Sequence, residues 1–191
     1  MEATTMTTRI VLGLLTAAAL VIAVQVAYGD HDSERGISAM FERSSSLAPA
    51  SEPRYVEECG GCHIAYPPAL LPARSWEKIM AQLADHFGDN AELDAETRSA
   101  VTAYLVQNSA EHGEYRHARR IARSVDDAST PTRIMDIPYI RHEHEEIPER
   151  LVAGNPQVKS FSNCGACHQQ VAQGSFSERE VRIPGFGRWD D

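Results

Sequence analysis

The sequence contains few cysteines, and its basic residues are fewer than its acidic ones. Only four of its 191 residues are cysteine, and 18 Lys and Arg side chains stand against 27 Asp and Glu, which gives a net charge of −9. The shortage of basic residues argues against nucleic acid as the main partner, because binding to phosphates needs a basic surface. The acidity favours a soluble protein or one with basic partners.

A long apolar run occurs close to the N-terminus. Arg9 precedes the apolar residues 10–24, and residues 27–29 (Ala-Tyr-Gly) have the small-x-small pattern of a cleavage site. This arrangement predicts a signal peptide over residues 1–29, and so an exported, periplasmic protein. Residues 10–27 are also just long enough to span a bilayer, so an uncleaved membrane anchor is an open alternative.

Proline is absent between residues 73 and 130, and this stretch has the periodicity of helices. One amphipathic helix is predicted with Ser75 as its cap and Gly88 at its end, with Trp76, Ile79, Met80, Leu83 and Phe87 on its apolar face. A second is predicted after Asp94, and a third over residues 115–125. Before this stretch, a short helix is predicted from Pro53 to Cys59, because proline suits a first helical turn.

The remainder of the chain has little periodic structure. Residues 30–50 are small and polar and predict a flexible lead-in. From Pro131 onward, five prolines interrupt the chain and no long periodic segment remains. A segment of about sixty residues with so little regular structure needs another organiser, and a covalently attached macrocycle would serve.

The four cysteines lie in two copies of one motif, each followed directly by histidine. They are Cys59-Gly-Gly-Cys62-His63 and Cys164-Gly-Ala-Cys167-His168. Cys-x-x-Cys-His is the attachment signature of c-type haem, in which the two thiols hold the porphyrin and the histidine binds the iron. The sequence therefore predicts two covalently bound haem c groups. A zinc site would need a closer spacing of the pairs, and two disulfides would leave both histidines unexplained.

The sixth iron ligands have several candidates in the sequence. For the first haem, His86 follows Ile79 by seven residues and Leu83 by three, which places it on the apolar face of the predicted helix, with Met80 as its rival. For the second haem, His142 and His144 precede Cys164 by about twenty residues. Their spacing of two puts them on opposite sides of an extended segment, so at most one faces the haem, and Met135 is the rival.

An unusual basic cluster lies within this acidic chain, formed by Arg116, His117, Arg119, Arg120 and Arg123. The simplest interpretation is the solvated side of a helix. The functional alternative is pairing with haem propionates or with an acidic partner, because the arginine fork matches carboxylates.

Taken together, these patterns predict a mainly α fold with extensive irregular structure, arranged as two small haem-binding lobes. The N-terminal haem c domain, residues 51–115, should be helical, and the C-terminal haem c domain, residues 116–191, largely coil. Two haems in so short a chain must lie close together, so electrons should pass between them.

The chain resembles the bacterial dihaem cytochrome c family over roughly residues 55–185. The resemblance rests on both haem motifs and on segments around them: Tyr66-Pro-Pro-Ala-Leu-Leu-Pro72, Ser75-Trp76, Ile79-Met80, His86-Phe87-Gly88, Asn90-Ala91, Arg133-Ile134, Pro138-Tyr139, His144, Ile147, Asn163, Gly174 and Phe176.

The resemblance implies low-spin haems with two histidine ligands each, the distal ones being His86 and His144. It also implies an electron carrier rather than an enzyme, with other electron-transfer proteins as partners: an oxygen-binding monohaem cytochrome c and a membrane cytochrome b. It leaves open which distal histidine serves which haem. The alternatives are a peroxidase-like dihaem enzyme or a haem ligand sensor, each of which needs an open iron position, and a membrane-tethered subunit of a larger complex.

Overall fold

Six α-helices and a series of short 3-10 turns supply most of the regular structure of the computed structural model, which describes residues 46–189. The helices are α1 Pro53–Gly60, α2 Ala73–Met80, α3 Ala95–Gln107, α4 Arg116–Ser124, α5 Pro138–His142 and α6 Cys164–Cys167. The 3-10 turns are Pro68–Leu70, Leu83–Asp85, Ala110–His112, Ile134–Asp136, Glu149–Leu151, Val171–Gln173 and Glu178–Glu180. A small antiparallel hairpin, β1 Arg182–Ile183 and β2 Gly187–Arg188, pairs Arg182 with Arg188. The predicted mainly α fold is confirmed.

The first helix begins where the sequence predicts. Pro53 occupies the first turn of α1, and the side chain of Glu52 accepts a hydrogen bond from the backbone N–H of Arg54. The proline-rich segment that follows is extended apart from one 3-10 turn. This turn is fixed from outside, because the indole N–H of Trp76 donates to the Pro68 carbonyl at 2.7 Å.

The helix predicted from Ser75 to Gly88 is wrong at both ends. α2 begins at Ala73 with Pro72 as its N-cap and stops at Met80. Ser75 is therefore inside the helix and fully buried, and its hydroxyl has no hydrogen-bond partner among the described residues. Beyond Met80 the chain makes a separate 3-10 turn, so Leu83 is still buried although it is not on the same helix.

The third and fourth helices agree more closely with the sequence. Asp94 caps α3, and its carboxylate accepts from the backbone N–H groups of Glu96 and Thr97. α4 covers Arg116–Ser124, within the predicted 115–125, and buries Ala118 and Ile121 against the rest of the fold. These ends are set by local side chains and by apolar spacing, which a sequence displays directly.

A single hydrophobic core joins the helices. α2 packs along α3, and α4 packs against the 3-10 turns and α5. The core residues run from Leu47 to Ile140, and its most deeply buried large side chains include Leu71, Leu105, Ile121 and Ile137. Core residues thus lie on both sides of residues 115 and 116, where the sequence places the boundary between two domains. That boundary stays a prediction.

The beginning of the described chain packs against its C-terminal part. The N–H of Leu47 donates to the Gly174 carbonyl at 2.7 Å, and Leu47 is buried in the core. A Cβ at Gly174 would lie 2.0 Å from the Leu47 carbonyl oxygen, so only glycine permits this approach. The C-terminal end of the predicted lead-in is therefore packed on the fold, whereas residues 1–45, including the predicted signal peptide or anchor, lie outside the described part. Within residues 46–189 no helix combines the length and hydropathy needed to cross a membrane.

Candidate functional site

The first haem motif lies at the end of α1 and in the turn that follows it. Cys59 is in the last turn of the helix, Gly61 is the C-cap, and Cys62 and His63 are exposed. The Nδ1–H of His63 donates to the Ile64 carbonyl at 2.7 Å. This bond fixes the tautomer of the neutral ring, so Nε2 keeps the lone pair that a metal binds.

His86 faces His63 from a tight turn. The ring centroids are 6.2 Å apart and the ring planes differ by 29°. Two hydrogen bonds close the turn, since His86 N–H donates to the Asp89 carbonyl at 2.7 Å and Asp89 N–H donates back at 3.3 Å. Phe87 and Gly88 make the reversal with positive φ values of 59° and 105°. Burial, reinforced by the neighbouring His63, lowers the pKa of His86 and keeps its ring in the neutral form that metal binding requires.

Two aromatic rings frame this pair of histidines. Tyr66 stacks on His63 with centroids 4.8 Å apart, and Phe87 meets the His86 ring edge-on at 4.9 Å. The Arg133 guanidinium lies over the Phe87 ring at 4.4 Å. The surroundings of the first pair are therefore apolar and aromatic, which suits the faces and edges of a porphyrin.

The second motif forms α6, with His168 as its C-cap and His144 opposite. The centroids of these two imidazoles are 6.1 Å apart. The Nδ1–H of His144 donates to the Ile140 carbonyl at 2.7 Å, which again leaves Nε2 available. Phe161 and Phe176 flank the pair at 5.8 and 5.4 Å from His144 and His168 respectively.

His168 is more enclosed than the other candidate ligands. Its Nδ1 is buried and has no hydrogen-bond partner among the described residues. Burial, with His144 nearby, lowers the pKa of His168 to about 4. The imidazole is therefore neutral at physiological pH, the state in which it binds a metal.

The spacing within each pair fits one iron ion between two imidazoles. With metal–nitrogen bonds of about 2 Å, two rings on opposite sides of one metal have centroids about 6 Å apart. The observed 6.2 and 6.1 Å agree with this value. The residues present therefore fit two haem groups: His63 and His86 would hold the first iron, and His168 and His144 the second. The crossed arrangement that the sequence leaves open is not the one seen.

The cysteine environments differ from those of zinc ligands and redox-active pairs. Burial raises the pKa of Cys59 and of Cys164 to about 11, and it raises that of Cys167 as well. Zinc ligands and redox-active Cys-x-x-Cys pairs are thiolates, which need the opposite shift. All four thiols are unpaired, and residues 46–189 contain no cluster of three or more His, Cys, Asp or Glu arranged to hold a metal.

The two haem motifs are neighbours in space. The hydroxyl of Tyr66 donates to the carbonyl of Ser162, two residues before Cys164, at 3.0 Å. A Cβ at Gly165, within the second motif, would be 4.0 Å from the side chain of Ile64, which directly follows His63. The same tyrosine that stacks on His63 thus reaches the second motif.

The rival ligands lie elsewhere. Met80 is buried in the core and Met135 packs against it. His142 is exposed and its Nδ1 lies 2.9 Å from Glu145. His112 is also exposed, and His117 contacts Tyr139 rather than either motif. His31 lies outside the described residues.

The sequence analysis misses the aromatic side chains that surround the histidines. Tyr66 and Phe176 contribute to the family resemblance, but no role is predicted for them, and Phe161 does not figure at all. The spacing offers one usable signal, because Tyr66 follows His63 by three residues. The contacts of Phe161 and Phe176 depend on how an irregular segment folds back, which no local pattern reveals.

Comparison with known proteins agrees with this geometry. The family described as Dihaem cytochrome c matches residues 55–176. A diheme cytochrome type c from Shewanella baltica OS155 is similar in structure, with a TM-score of 0.61 and 43% identity over 72% of this chain and 97% of that one. A diheme cytochrome c from Rhodobacter sphaeroides has a TM-score of 0.61 and 38% identity, covering 68% and 99% of the respective chains. No curated protein matches.

Proposed function

Because the chain belongs to the dihaem cytochrome c family, we propose that it is a periplasmic carrier that passes electrons between redox partners through two closely spaced low-spin haems. Membership of this family establishes two haem c groups and a role in haem-based electron transfer. The ligand assignment, the location, the partners and the route between the haems are parts of the proposal.

The observation that carries the proposal is the pair of facing imidazoles at each motif. His63 with His86, and His168 with His144, have the separation that would let both imidazoles of a pair hold one iron. An iron held by both would have no open position for peroxide or a gas, so the paired histidines favour electron transfer over catalysis or sensing. Two imidazoles also favour a lower potential than a histidine with a methionine.

The protein's own residues hold these ligands in position. The Nδ1–H bonds of His63 and His144 orient each ring and raise its basicity toward iron. The haem supplies the redox change when it is bound, and the protein supplies ligation, orientation and electrostatics. The contacts of Tyr66 with His63 and Ser162 support transfer between the haems, because they keep the two motifs adjacent.

The partners in this proposal are other electron-transfer proteins, namely an oxygen-binding monohaem cytochrome c and a membrane cytochrome b. Export to the periplasm rests on the predicted signal peptide. The mass of the exported protein tests this point, since cleavage after Gly29 leaves a chain that begins at Asp30. A mature protein that retains residues 10–27 would instead support a membrane-tethered subunit.

The ligation is tested by absorption spectra of the oxidised and reduced holoprotein, with carbon monoxide added to the reduced form. We expect two low-spin haems that lack the charge-transfer band of methionine ligation and do not bind the gas. His86→Ala and His144→Ala should each open one iron to carbon monoxide, which shows that the assay responds, whereas His142→Ala should behave like the wild type. Gas binding by the wild type would refute the carrier assignment and favour the enzyme or sensor.

A further inference from the structure

One helix of this acidic protein has a strongly basic surface. Four arginines of α4, at positions 116, 119, 120 and 123, recur at intervals of three and four residues and are all exposed. This set is called the arginine face. The opposite side of the helix buries Ala118 and Ile121, so the arginine face is turned toward solvent on a helix that the core holds in place.

No carboxylate of the described residues forms an ion pair with the arginine face, although Glu143 interacts electrostatically with Arg120. The ion pairs of the described residues are Arg54–Glu96, Arg74–Glu111 and His142–Glu145, and none involves α4. Arg119 donates to the Glu114 carbonyl, and Arg120 donates to the Tyr139 hydroxyl at 3.4 Å. All four guanidinium groups keep their positive charge, on a molecule with nine more acidic than basic residues, and among the described residues Arg116 and Arg123 form neither a hydrogen bond nor an ion pair.

This arrangement is unfavourable for the helix itself. Arg116 is the first residue of α4, where the helix dipole favours negative charge, and the first turn contains no acidic side chain. Like charges three and four residues apart also repel one another. Arg123 lies in the last turn, where positive charge is favourable, but Arg116 and the mutual repulsion of the four arginines work against the helix, so a role in binding is the better physical explanation of the cluster.

The arginine face lies next to the second pair of histidines. The Tyr139 hydroxyl lies 2.6 Å from Nδ1 of His117, which ties α4 to α5. The following residue of α5, Ile140, accepts the hydrogen bond that orients His144. An acidic molecule docked on α4 would thus be separated from the distal ligand of the second haem by one short helix.

We propose that the arginine face is the docking surface for an acidic redox protein, which exchanges electrons with the second haem. This rests on the proposed electron-carrier function and adds the kind of partner. Arginine forks match surface carboxylates in geometry as well as charge. A membrane is the less suitable occupant, because surface-bound helices insert an apolar face, and the exposed large apolar residues of the described chain (Val56, Phe87 and Phe186) are not on α4.

The test is the rate at which an acidic flavodoxin, in its hydroquinone form, reduces the oxidised holoprotein in stopped-flow experiments. Arg116→Glu/Arg123→Glu changes the two arginines that form no hydrogen bond or ion pair with the described residues. We expect the second-order rate constant to fall about tenfold at low ionic strength, where electrostatic steering is strongest, and to approach the wild-type value as salt rises. Arg116→Gln/Arg123→Gln should give a smaller decrease in the same direction.

The matched control is Lys78→Glu/Arg98→Glu, which changes the net charge equally on the exposed sides of α2 and α3. A decrease as large in this control would mean that only total charge matters, and an unchanged rate in the α4 variant would equally overturn the proposal. The α4 variant could also shift the midpoint potential of the second haem and slow its reduction by a neutral small molecule. That result would mean that the arginines interact with the haem propionates of the protein itself. Loss of binding to phosphatidylglycerol vesicles, with unchanged flavodoxin rates, would identify a membrane surface instead.

Failure of the proposed function is distinguishable from failure of this inference. Binding of carbon monoxide by the wild-type protein contradicts the carrier assignment, whatever the flavodoxin rates are. A second outcome contradicts the docking surface alone. In that case the haems do not bind carbon monoxide and are reduced rapidly by dithionite, but the rate of reduction by flavodoxin does not depend on Arg116 and Arg123.

Discussion

His86 differs from His63 and His144 in what holds its ring. The Nδ1–H groups of His63 and His144 donate to backbone carbonyls. The ring of His86 is placed instead by its turn, which two backbone hydrogen bonds close, and by contacts with His63 and Phe87. Because this turn is exposed on its outer side, position 86 is the one at which a ligand can be exchanged with least disturbance of the core.

Replacing His86 with methionine should raise the midpoint potential of the first haem. A thioether stabilises reduced iron more than an imidazole does, so we expect a shift that is a measurable part of the range of about 0.8 V over which axial ligands tune haem potentials. Spectroelectrochemical titration separates the two haems and measures the shift.

The matched control is His142→Met, because His142 is exposed and paired only with Glu145. It should leave both potentials in place. If the potential and the spectrum of the first haem are the same in His86→Met as in the wild type, His86 is not its ligand.

Among secondary-structure elements, the starts of α1 and α3 could be predicted, whereas both ends of α2 could not. Pro53 and Asp94 mark the starts of α1 and α3 because their effect is local. α2 ends at Met80 and a separate turn follows, in which the N–H of Ala91 donates to the Leu83 carbonyl at 2.8 Å, a spacing that no helix has. Apolar spacing cannot distinguish one long helix from a helix followed by a buried 3-10 turn.

The helical position predicted for His86 is therefore wrong. The spacing from Ile79 and Leu83 suggested a histidine on the inner face of a helix, whereas it lies in the turn that follows. The turn is possible because Gly88 adopts a φ of 105°, which a glycine reaches without strain. A family resemblance identified His86 and His144 as candidates, and only the fold shows which proximal histidine each one faces.

The contact between α4 and α5 predicts a pH dependence of stability. Burial lowers the pKa of His117; Glu143 acts in the opposite direction, and Arg120 and Arg116 lower it further. The neutral ring accepts a hydrogen bond from the Tyr139 hydroxyl, whose own pKa burial raises. Since the folded pKa lies below the unfolded value of about 6.5, this stabilisation is complete above that pH and is lost as the pH falls toward the folded pKa.

Urea unfolding of the holoprotein at about pH 7.5 and about pH 5.5 tests this expectation. The free energy of unfolding should decrease more between these values in the wild type than in His117→Gln, which accepts the same hydrogen bond, worth about 1 kcal/mol, without titrating. His112→Gln, at an exposed histidine, is the control and should keep the wild-type slope. A slope that is identical in all three proteins would remove His117 from the account.

In the whole molecule, the contacts that unite the two haem motifs are non-local, and the sequence did not reveal them. Tyr66 reaches Ser162 across almost a hundred residues, and Leu47 reaches Gly174 across more of the chain. The irregular course of the C-terminal half was predicted from its prolines, as was the need for an organiser. The way in which that half folds back determines which aromatic rings surround the histidines. Neither the helix propensity nor the periodicity of the sequence encodes this path.

Tyr66 offers a way to test whether the two motifs act as one unit. Burial raises the pKa of its hydroxyl to about 12, so the group remains a donor at physiological pH. Tyr66→Phe keeps the stacking on His63 and removes the hydrogen bond to Ser162, so the free energy of unfolding should fall by about 1 kcal/mol. Tyr66→Leu also removes the ring and should destabilise further, and it alone should alter the absorption spectrum of the first haem.

Electron equilibration between the haems, followed after rapid partial reduction, should slow in both variants, because the second motif is less firmly held. Tyr104→Phe is the control, since that hydroxyl accepts only the Ser51 N–H, at 2.9 Å, and its loss should leave equilibration unchanged. Equal equilibration rates in all four proteins would mean that the motifs stay adjacent without Tyr66.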